Sequence, residues 1–212
     1  MNRKQWKSWM LVSMVLAFAM AMMGCAKSEA GEDAAKEAQA VIYPVSIDGS
    51  EIIIGETTVQ TLLDKGLKVT VSEMTEDKQI IEYEVDPEEE LEANSYYSGA
   101  SVWLTEHSFA HISMATDEEN VRMGDAVIAR LEFSLVSEEK AELAKIVFNG
   151  VPLSEMTREK AGEVFPDFSG DNNMWFSPAE QLDYKYFMSF DTEGTITSLS
   201  LEKKYDVDWS SN

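Results

Sequence analysis

The two histidines are the residues whose spacing first suggests a reaction. His107 and His111 stand four positions apart, and on a helix that spacing places two imidazoles on one face, where they could hold zinc. The metalloprotease motif H-E-x-x-H needs a glutamate directly after the first histidine, but Ser108 occupies that position. The segment predicts a strand or turn, which separates the two histidines by about 13 Å, too far to share one ion. We interpret both as ordinary core or surface side chains, and a metal-dependent enzyme is the least favoured alternative.

The polar loop from Asp167 to Asn173 is the next candidate for chemistry. Its oxygen-bearing side chains stand at alternate positions, as in a calcium loop, but Gly170 is its fourth residue rather than its sixth, and Pro178 replaces the glutamate at position twelve. The chain has no Gly-x-Ser-x-Gly nucleophile motif, and no motif singles out a carboxylate pair for glycoside hydrolysis. The sequence therefore predicts no metal, no cofactor and no catalytic activity.

The only cysteine, Cys25, ends an apolar run that begins at Met10. Arg3, Lys4 and Lys7 precede the run without any acidic residue, which is the order of a signal peptide. The run is too short for a confident membrane-spanning helix, and a polar stretch follows it at once. Because there is no second cysteine, an intramolecular disulfide is excluded and the fold depends on its core alone.

The residues around Cys25 resemble the lipobox of bacterial lipoproteins, with Gly24 directly before the cysteine and Met22 and Met23 ahead of it. This resemblance implies cleavage after Gly24 and a diacylglycerol thioether on the Cys25 sulfur. Residues 1–24 would then be the signal peptide and residues 25–40 a lipidated, flexible tether. We expect a lipid anchor in the cell membrane, facing outside the cytoplasm, because paired acyl chains hold a protein stably. The alternative is an ordinary signal peptide or N-terminal anchor.

The charge balance narrows the class of partner. The chain has 17 Lys and Arg against 39 Asp and Glu, a formal net charge of −22. Residues 1–24 carry three of the basic residues and no acidic one, so the mature chain has 14 against 39, a net charge of −25. Phosphate binding draws on basic surface, so nucleic acid is not an expected partner. The charge serves solubility or attracts a cationic partner.

The elements predicted around these residues repeat along the chain. Residues 41–137 begin with a strand, an Asp48-Gly49 turn, a return strand and a short helix whose Thr57 and Gln60 have capping-box spacing. Residues 138–212 show the same order, with an Asn149-Gly150 turn and a helix capped by Thr157. We predict an α+β fold of antiparallel sheets with Thr-capped helices on one face, in two tandem modules. Chance recurrence of turn chemistry is the alternative.

Aromatic side chains form the remaining candidate site. Strand alternation over 184–190 places Tyr184 and Tyr186 on one face and Phe187 on the other. Most of the aromatic residues belong to the core, and any left exposed would bind a protein or a glycan. The candidate binding residues are Trp103, Trp175, Phe176, Tyr184 and Tyr186.

The second half resembles the SmpA/OmlA-like and beta-lactamase-inhibitor-protein-like lipoproteins over about 60 residues. The matching features are Met156-Thr157 at the helix start, the aromatic strand 184–187, and the stretch from Phe190 to Ile196. Phe165-Pro166-Asp167 stands where the SmpA/OmlA-like group has Leu-Gly-x-Pro. Residues 54–63 and the glycine after them look like lipoproteins of Gram-positive bacteria, a group that implies no activity. In the broader group the sheet surface binds another protein.

We therefore expect a lipid-anchored envelope protein without catalytic activity that binds a protein partner. The alternative is an envelope receptor for a glycan or small ligand, which needs a real pocket.

Overall fold

The computed structural model describes residues 41–105, 108–136, 139–178 and 183–205, and strands dominate this part of the chain. The strands in it are β1 (Val45–Ile47), β2 (Ser50–Ile52), β3 (Lys68–Met74), β4 (Ile80–Glu84), β5 (Glu90–Leu91), β6 (Tyr96–Trp103), β7 (Phe109–Ala115), β8 (Val121–Arg122), β9 (Val127–Ser134), β10 (Ile146–Phe148), β11 (Val151–Pro152), β12 (Ser169–Gly170), β13 (Met174–Phe176), β14 (Tyr184–Phe190) and β15 (Ile196–Lys203). The α-helices in it are α1 (Val59–Asp64), α2 (Lys140–Leu143) and α3 (Arg158–Val164). Across these described ranges, no helix has the length and apolarity that crossing a membrane requires. Cys25 and the predicted signal peptide and tether lie outside the described residues.

Two tight hairpins build a four-stranded sheet. Asp48 and Gly49 have φ of 48° and 78°, and Asn149 and Gly150 have 45° and 81°. Positive φ at both turn residues matches the twist of the strands, and Asp-Gly and Asn-Gly tolerate it best. β1 pairs with β2, β10 pairs with β11, and β1 pairs antiparallel with β10 between them. The predicted hairpins are confirmed, and they form a sheet of order β11-β10-β1-β2.

The larger sheet draws on both halves of the sequence. Its nine described strands run in the order β12-β13-β14-β15-β9-β7-β6-β3-β4, with antiparallel pairing throughout. β9 pairs with β15, so that Leu131 lies opposite Leu201. This antiparallel architecture with few short helices agrees with the predicted fold class. The pairing also makes one continuous sheet of strands from residues 41–137 and 138–212.

Each hairpin is followed by a short helix that begins at a threonine. Thr58, and not the predicted Thr57, stands at the N-cap of α1, and its hydroxyl accepts a hydrogen bond from the Thr61 N–H. The Thr57 hydroxyl instead accepts from the Ile53 N–H and closes the turn before the helix. The Thr157 hydroxyl accepts from the Lys160 N–H at the start of α3. These contacts satisfy backbone donors that the first helical turn leaves free.

The core lies between the small sheet and one face of the large one. Phe148 of β10 stacks on Phe165 after α3 with ring centroids 4.9 Å apart, and it lies 6.0 Å from Tyr186 of β14. Tyr43 packs edge-on against the same three rings, and Phe168 packs at a tilt against Phe165 and Tyr186. Aromatic side chains from distant parts of the chain therefore fill the space where the two sheets meet.

Some short elements have no counterpart in the sequence pattern, among them β5 and α2. The acidic stretch 86–92 contains β5, which pairs with β8. α2 is a single turn over which Leu143 alone is buried. Both elements are too short to carry a sequence period, so only their tertiary contacts define them.

Candidate binding surface

Strand alternation gives the large sheet one face toward the core and one face away from it. In β14, Tyr184, Tyr186 and Met188 are buried, whereas Lys185 is exposed and Phe187 is half-buried. Strand pairing aligns one residue from each of eight neighbouring strands in a row on the same side of the sheet as Phe187. The row is Phe176, Phe187, Ser200, Glu132, His111, Ser101, Thr70 and Glu84. We call this side of the sheet the open face. At about 4.8 Å per strand, the row is about 34 Å long.

A pair of phenylalanines marks one end of the open face. Phe176 and Phe187 have ring centroids 5.0 Å apart, and Phe176 is 49% exposed. A cleft of about 530 Å³ adjoins them and reaches the charged side chains Lys185, Arg130 and Glu202. The cleft therefore combines apolar rings with charges of both signs.

Polar side chains that bind one another fill the middle of the open face. The Arg130 guanidinium pairs with the Glu132 carboxylate at 2.5 Å. Closer to Phe187, on β14 and β15, the Ser189 hydroxyl lies 2.6 Å from that of Ser198 and 2.7 Å from that of Thr197. The middle of the face is therefore polar, and the opposite charges of Arg130 and Glu132 add no net charge to it.

A second aromatic pair lies nearer the other end of the sheet. Trp103 and Phe109 have ring centroids 5.0 Å apart, and Phe109 is 37% exposed. The Trp103 indole N–H donates to the Thr70 hydroxyl at 2.8 Å, which fixes the orientation of the ring. The Lys68 ammonium lies 5.6 Å from the indole centroid, within cation–π range. His111 packs edge-on against Phe109.

The five aromatic residues predicted as a binding site do not form one surface. Trp103 and Phe176 lie on the open face, but about five strand spacings apart. Trp175 faces the core side, beside Phe190 and over Gly162 of α3, and its indole N–H donates to the Asp171 carbonyl. The structure therefore brings Trp103 and Phe176 to the same face without joining them.

Tyr184 and Tyr186 belong to the core. They are 8% and 2% exposed, so neither presents its ring to a partner. The Tyr186 hydroxyl accepts a hydrogen bond from the Tyr43 N–H at 3.0 Å. Burial raises the pKa of Tyr186 to about 12. Strand alternation had separated the two tyrosines from Phe187, but it gave no indication of which side faces inward.

The open-face residues that sequence reasoning missed are Phe187 and Phe109, with the Arg130–Glu132 pair between them. Phe187 and Phe109 each complete an aromatic pair, with Phe176 and with Trp103. One signal was available, since Phe187 stands alone among polar residues on its side of the strand. Each aromatic pair joins two strands that are consecutive in the chain, but the residue register that brings the rings opposite each other had no sequence signal.

The residues considered as metal ligands take other roles where they are described. His111 is an exposed residue of β7, and His107 lies outside the described residues. The Asp171 carboxylate accepts hydrogen bonds from the N–H groups of Asn173 and Met174, which lower its pKa and close the turn before β13. In the part of the chain that the structure describes, no three His, Cys, Asp or Glu side chains are grouped as ligands for an ion.

A second cleft, of about 720 Å³, is acidic. Asp117, Glu118, Glu119 and Asp125 line it beside Tyr205. The Asp125 carboxylate is bound by Arg122 at 2.9 Å. The carboxylates of the cleft are not grouped as ligands around one point in the described part of the chain.

A comparison of the chain with protein-family models, with curated proteins and with solved structures finds no match. The function is therefore inferred from the geometry of the chain's own residues.

Proposed function

We propose that the chain is a lipid-anchored protein of the cell envelope, without catalytic activity, that binds another protein through the open face. Cys25 would carry the lipid, and the membrane would hold the chain by that anchor. The support for the anchor is the order of basic residues, apolar run, Gly24 and single cysteine. Nucleic acid is not a proposed partner, given a net charge of −22.

The observation that carries the binding proposal is the pair of partly exposed aromatic clusters on the side of one sheet that faces away from the core. Phe176 with Phe187, and Trp103 with Phe109, stand on either side of small hydroxyl side chains and the Arg130–Glu132 ion pair. Protein interfaces concentrate their binding energy in a few aromatic residues within a surrounding polar surface. A face about 34 Å long also has room for a contact of standard size.

The binding proposal is tested by photocrosslinking in cells that express the full chain. The photoreactive residue p-benzoylphenylalanine replaces Phe176 or Phe109, and in a control chain it replaces Val136, which is 75% exposed. We expect an adduct of one defined protein mass from positions 109 and 176 and none from position 136. Phe187→Ser should abolish the adduct from position 176, whereas Val136→Ser should leave it unchanged. Equal labelling from all three positions would count against the open face.

The cleft beside Phe176 favours a second candidate function, a receptor for a glycan or small ligand. Its volume of about 530 Å³ is in the range of ligand sites, and aromatic rings next to charged groups suit a sugar. Screening the detergent-solubilised full chain against an oligosaccharide array separates the two functions. Binding that Phe187→Ser removes, together with a lack of protein adducts, would favour the receptor.

The lipid anchor is tested at Cys25 itself. In cells fed an alkyne-tagged palmitate, we expect label on the wild-type chain and none on Cys25→Ser. The variant should also keep its signal peptide, because lipoprotein cleavage depends on the lipidated cysteine. Membrane retention and processing of Cys25→Ser that match the wild type would refute the lipid anchor.

We further infer that residues 41–137 and 138–212 are two copies of one α+β module. One support is that each half has a hairpin, then a threonine, then a short helix. The other is that β1 and β10, the first strands of the two hairpins, pair antiparallel as the two central strands of the small sheet. In this proposal the two modules pair their strands into shared sheets.

A further inference from the structure

The end strand β4 has a row of backbone groups that β3 does not use. In the described part of the chain, β3 is the one strand that pairs with β4. The Thr75 N–H donates to the Gln79 carbonyl, and the Val85 N–H donates to the Val69 carbonyl. Because backbone groups alternate in direction along an antiparallel strand, residues 79, 81, 83 and 85 face β3. The N–H and carbonyl groups of Ile80, Glu82 and Glu84 therefore point away from the sheet.

The side chains of this strand are unusually apolar and exposed for an edge. Ile80 is 72% exposed, Ile81 46% and Tyr83 36%, and Met74 on the neighbouring end of β3 is 70% exposed. Natural sheets cover or shorten such edges, because a free strand with apolar side chains pairs with other chains. The exposed edge is thus suited to receive another strand.

Charge limits which strand the edge can receive. Glu82 and Glu84 lie on one side of β4, and no ion pair among the described residues reaches either carboxylate. If β4 of one copy paired antiparallel with β4 of a second copy, centred on Glu82, the two Glu82 side chains would lie opposite each other. Like charges in directly opposite positions repel. The net charge of −22 adds to the repulsion between copies. A segment that carries positive charge is favoured.

We propose that β4 binds an extended segment of a partner protein in which basic and apolar residues alternate. The outward N–H and carbonyl groups of Ile80, Glu82 and Glu84 would bond to the backbone of the segment. Its basic side chains would lie beside Glu82 and Glu84, and its apolar side chains beside Ile81 and Tyr83. The site is separate from Phe176, which stands seven strand spacings away, about 34 Å. The site includes Glu84, at the β4 end of the open face, and it rests on the proposed function only in the premise that the chain binds proteins. It uses the backbone edge of β4 and not the aromatic pairs, so its failure and that of the open-face proposal can be told apart.

The test uses the full chain in detergent micelles and a fluorescent ten-residue peptide of alternating lysine and valine. Control peptides alternate glutamate with valine, or place the lysines and valines in two blocks. We expect fluorescence anisotropy to show saturable binding of the alternating lysine peptide and at least about tenfold weaker binding of both controls.

Two substitutions at position 82 separate backbone pairing from charge. Glu82→Pro removes the central outward N–H without touching the bonds to β3, whereas Glu82→Gln keeps that N–H and a side-chain oxygen for Thr70. We expect Glu82→Pro to bind the lysine peptide at least about tenfold more weakly than Glu82→Gln. Equal affinity of the two variants would overturn the proposal.

Charge reversal gives a second result that does not depend on proline being tolerated. The double variant Glu82→Lys with Glu84→Lys should prefer the alternating glutamate peptide over the lysine peptide. Amide exchange completes the test, because the N–H groups of Ile80, Glu82 and Glu84 should exchange fast in the free chain and slow when the lysine peptide is bound. Unchanged peptide preference would overturn the proposal. Slow exchange of these three amides in the free chain would also overturn the proposal, because the edge would then already be occupied. Sedimentation would show whether a second copy or another segment of the same chain occupies it.

Discussion

At the scale of single residues, burial gives Tyr186 a role in stability. Its hydroxyl accepts the Tyr43 N–H, and its ring packs among Phe148, Phe168 and Tyr43. Burial penalises the charged phenolate, which raises the pKa of Tyr186 to about 12 from an ordinary value near 10. The folded protein therefore holds this proton to higher pH than the unfolded chain does.

This pKa shift predicts a defined loss of stability in alkali. Between pH 10 and pH 12 the unfolded chain loses the Tyr186 proton while the folded chain still holds it. The stabilisation that Tyr186 gives to the fold is therefore complete below pH 10 and is lost as the pH rises through 12. Tyr186→Phe leaves the Tyr43 N–H without its acceptor and should lower the free energy of unfolding at pH 8 by about 1–3 kcal/mol. We expect urea denaturation to show a smaller difference between the two proteins at pH 11 than at pH 8. A difference that stays constant would contradict the pKa shift, since the other tyrosines are common to both proteins.

At the scale of secondary-structure elements, the hairpins were predictable and the helix caps only in part. Asp48-Gly49 and Asn149-Gly150 identify their turns because few other residue pairs adopt positive φ twice in succession. The start of α1 is ambiguous in sequence, because Thr57 and Thr58 are adjacent and both hydroxyls suit a cap. The chain resolves this by binding the Thr57 hydroxyl to the Ile53 N–H, a contact set by the preceding turn.

The cap of α3 provides a test of the contribution of threonine at this scale. Thr157 is exposed, and its hydroxyl accepts the Lys160 N–H at 3.1 Å. Thr157→Ala should therefore cost about 1 kcal/mol of unfolding free energy through the cap and little through packing. Thr157→Ser keeps the hydroxyl and serves as the matched control, with little expected change, because serine is at least as good an N-cap as threonine. Chemical denaturation of the three proteins measures both values, and equal losses for alanine and serine would exclude the cap as the cause.

At the scale of the whole molecule, the strand partners were beyond the reach of the sequence pattern. Alternation in Val127–Ser134 and in Ile196–Lys203 predicts two strands with one apolar side each. Nothing in either segment states that Leu131 meets Leu201, because pairing across 70 residues depends on how both sheets pack. The same limit applied to the site, where alternation separated Tyr186 from Phe187 but tertiary packing determined which of the two faces away from the core.

The shared sheets predict that neither half of the chain folds without the other. Cutting the chain between residues 137 and 138 would free β9 from β15 and β1 from β10. It would also expose Leu131, Phe133 and Phe148, each at most 1% exposed in the intact fold. We expect residues 138–212 alone, and residues 1–137 alone, to show the narrow amide dispersion of unfolded chains in NMR spectra. Co-expression should restore a dispersed spectrum and a one-to-one complex in sedimentation, because every strand regains its neighbour. A dispersed spectrum from residues 138–212 alone would instead establish a module that is stable by itself, and the pairing of β9 with β15 would then be an interface between two domains.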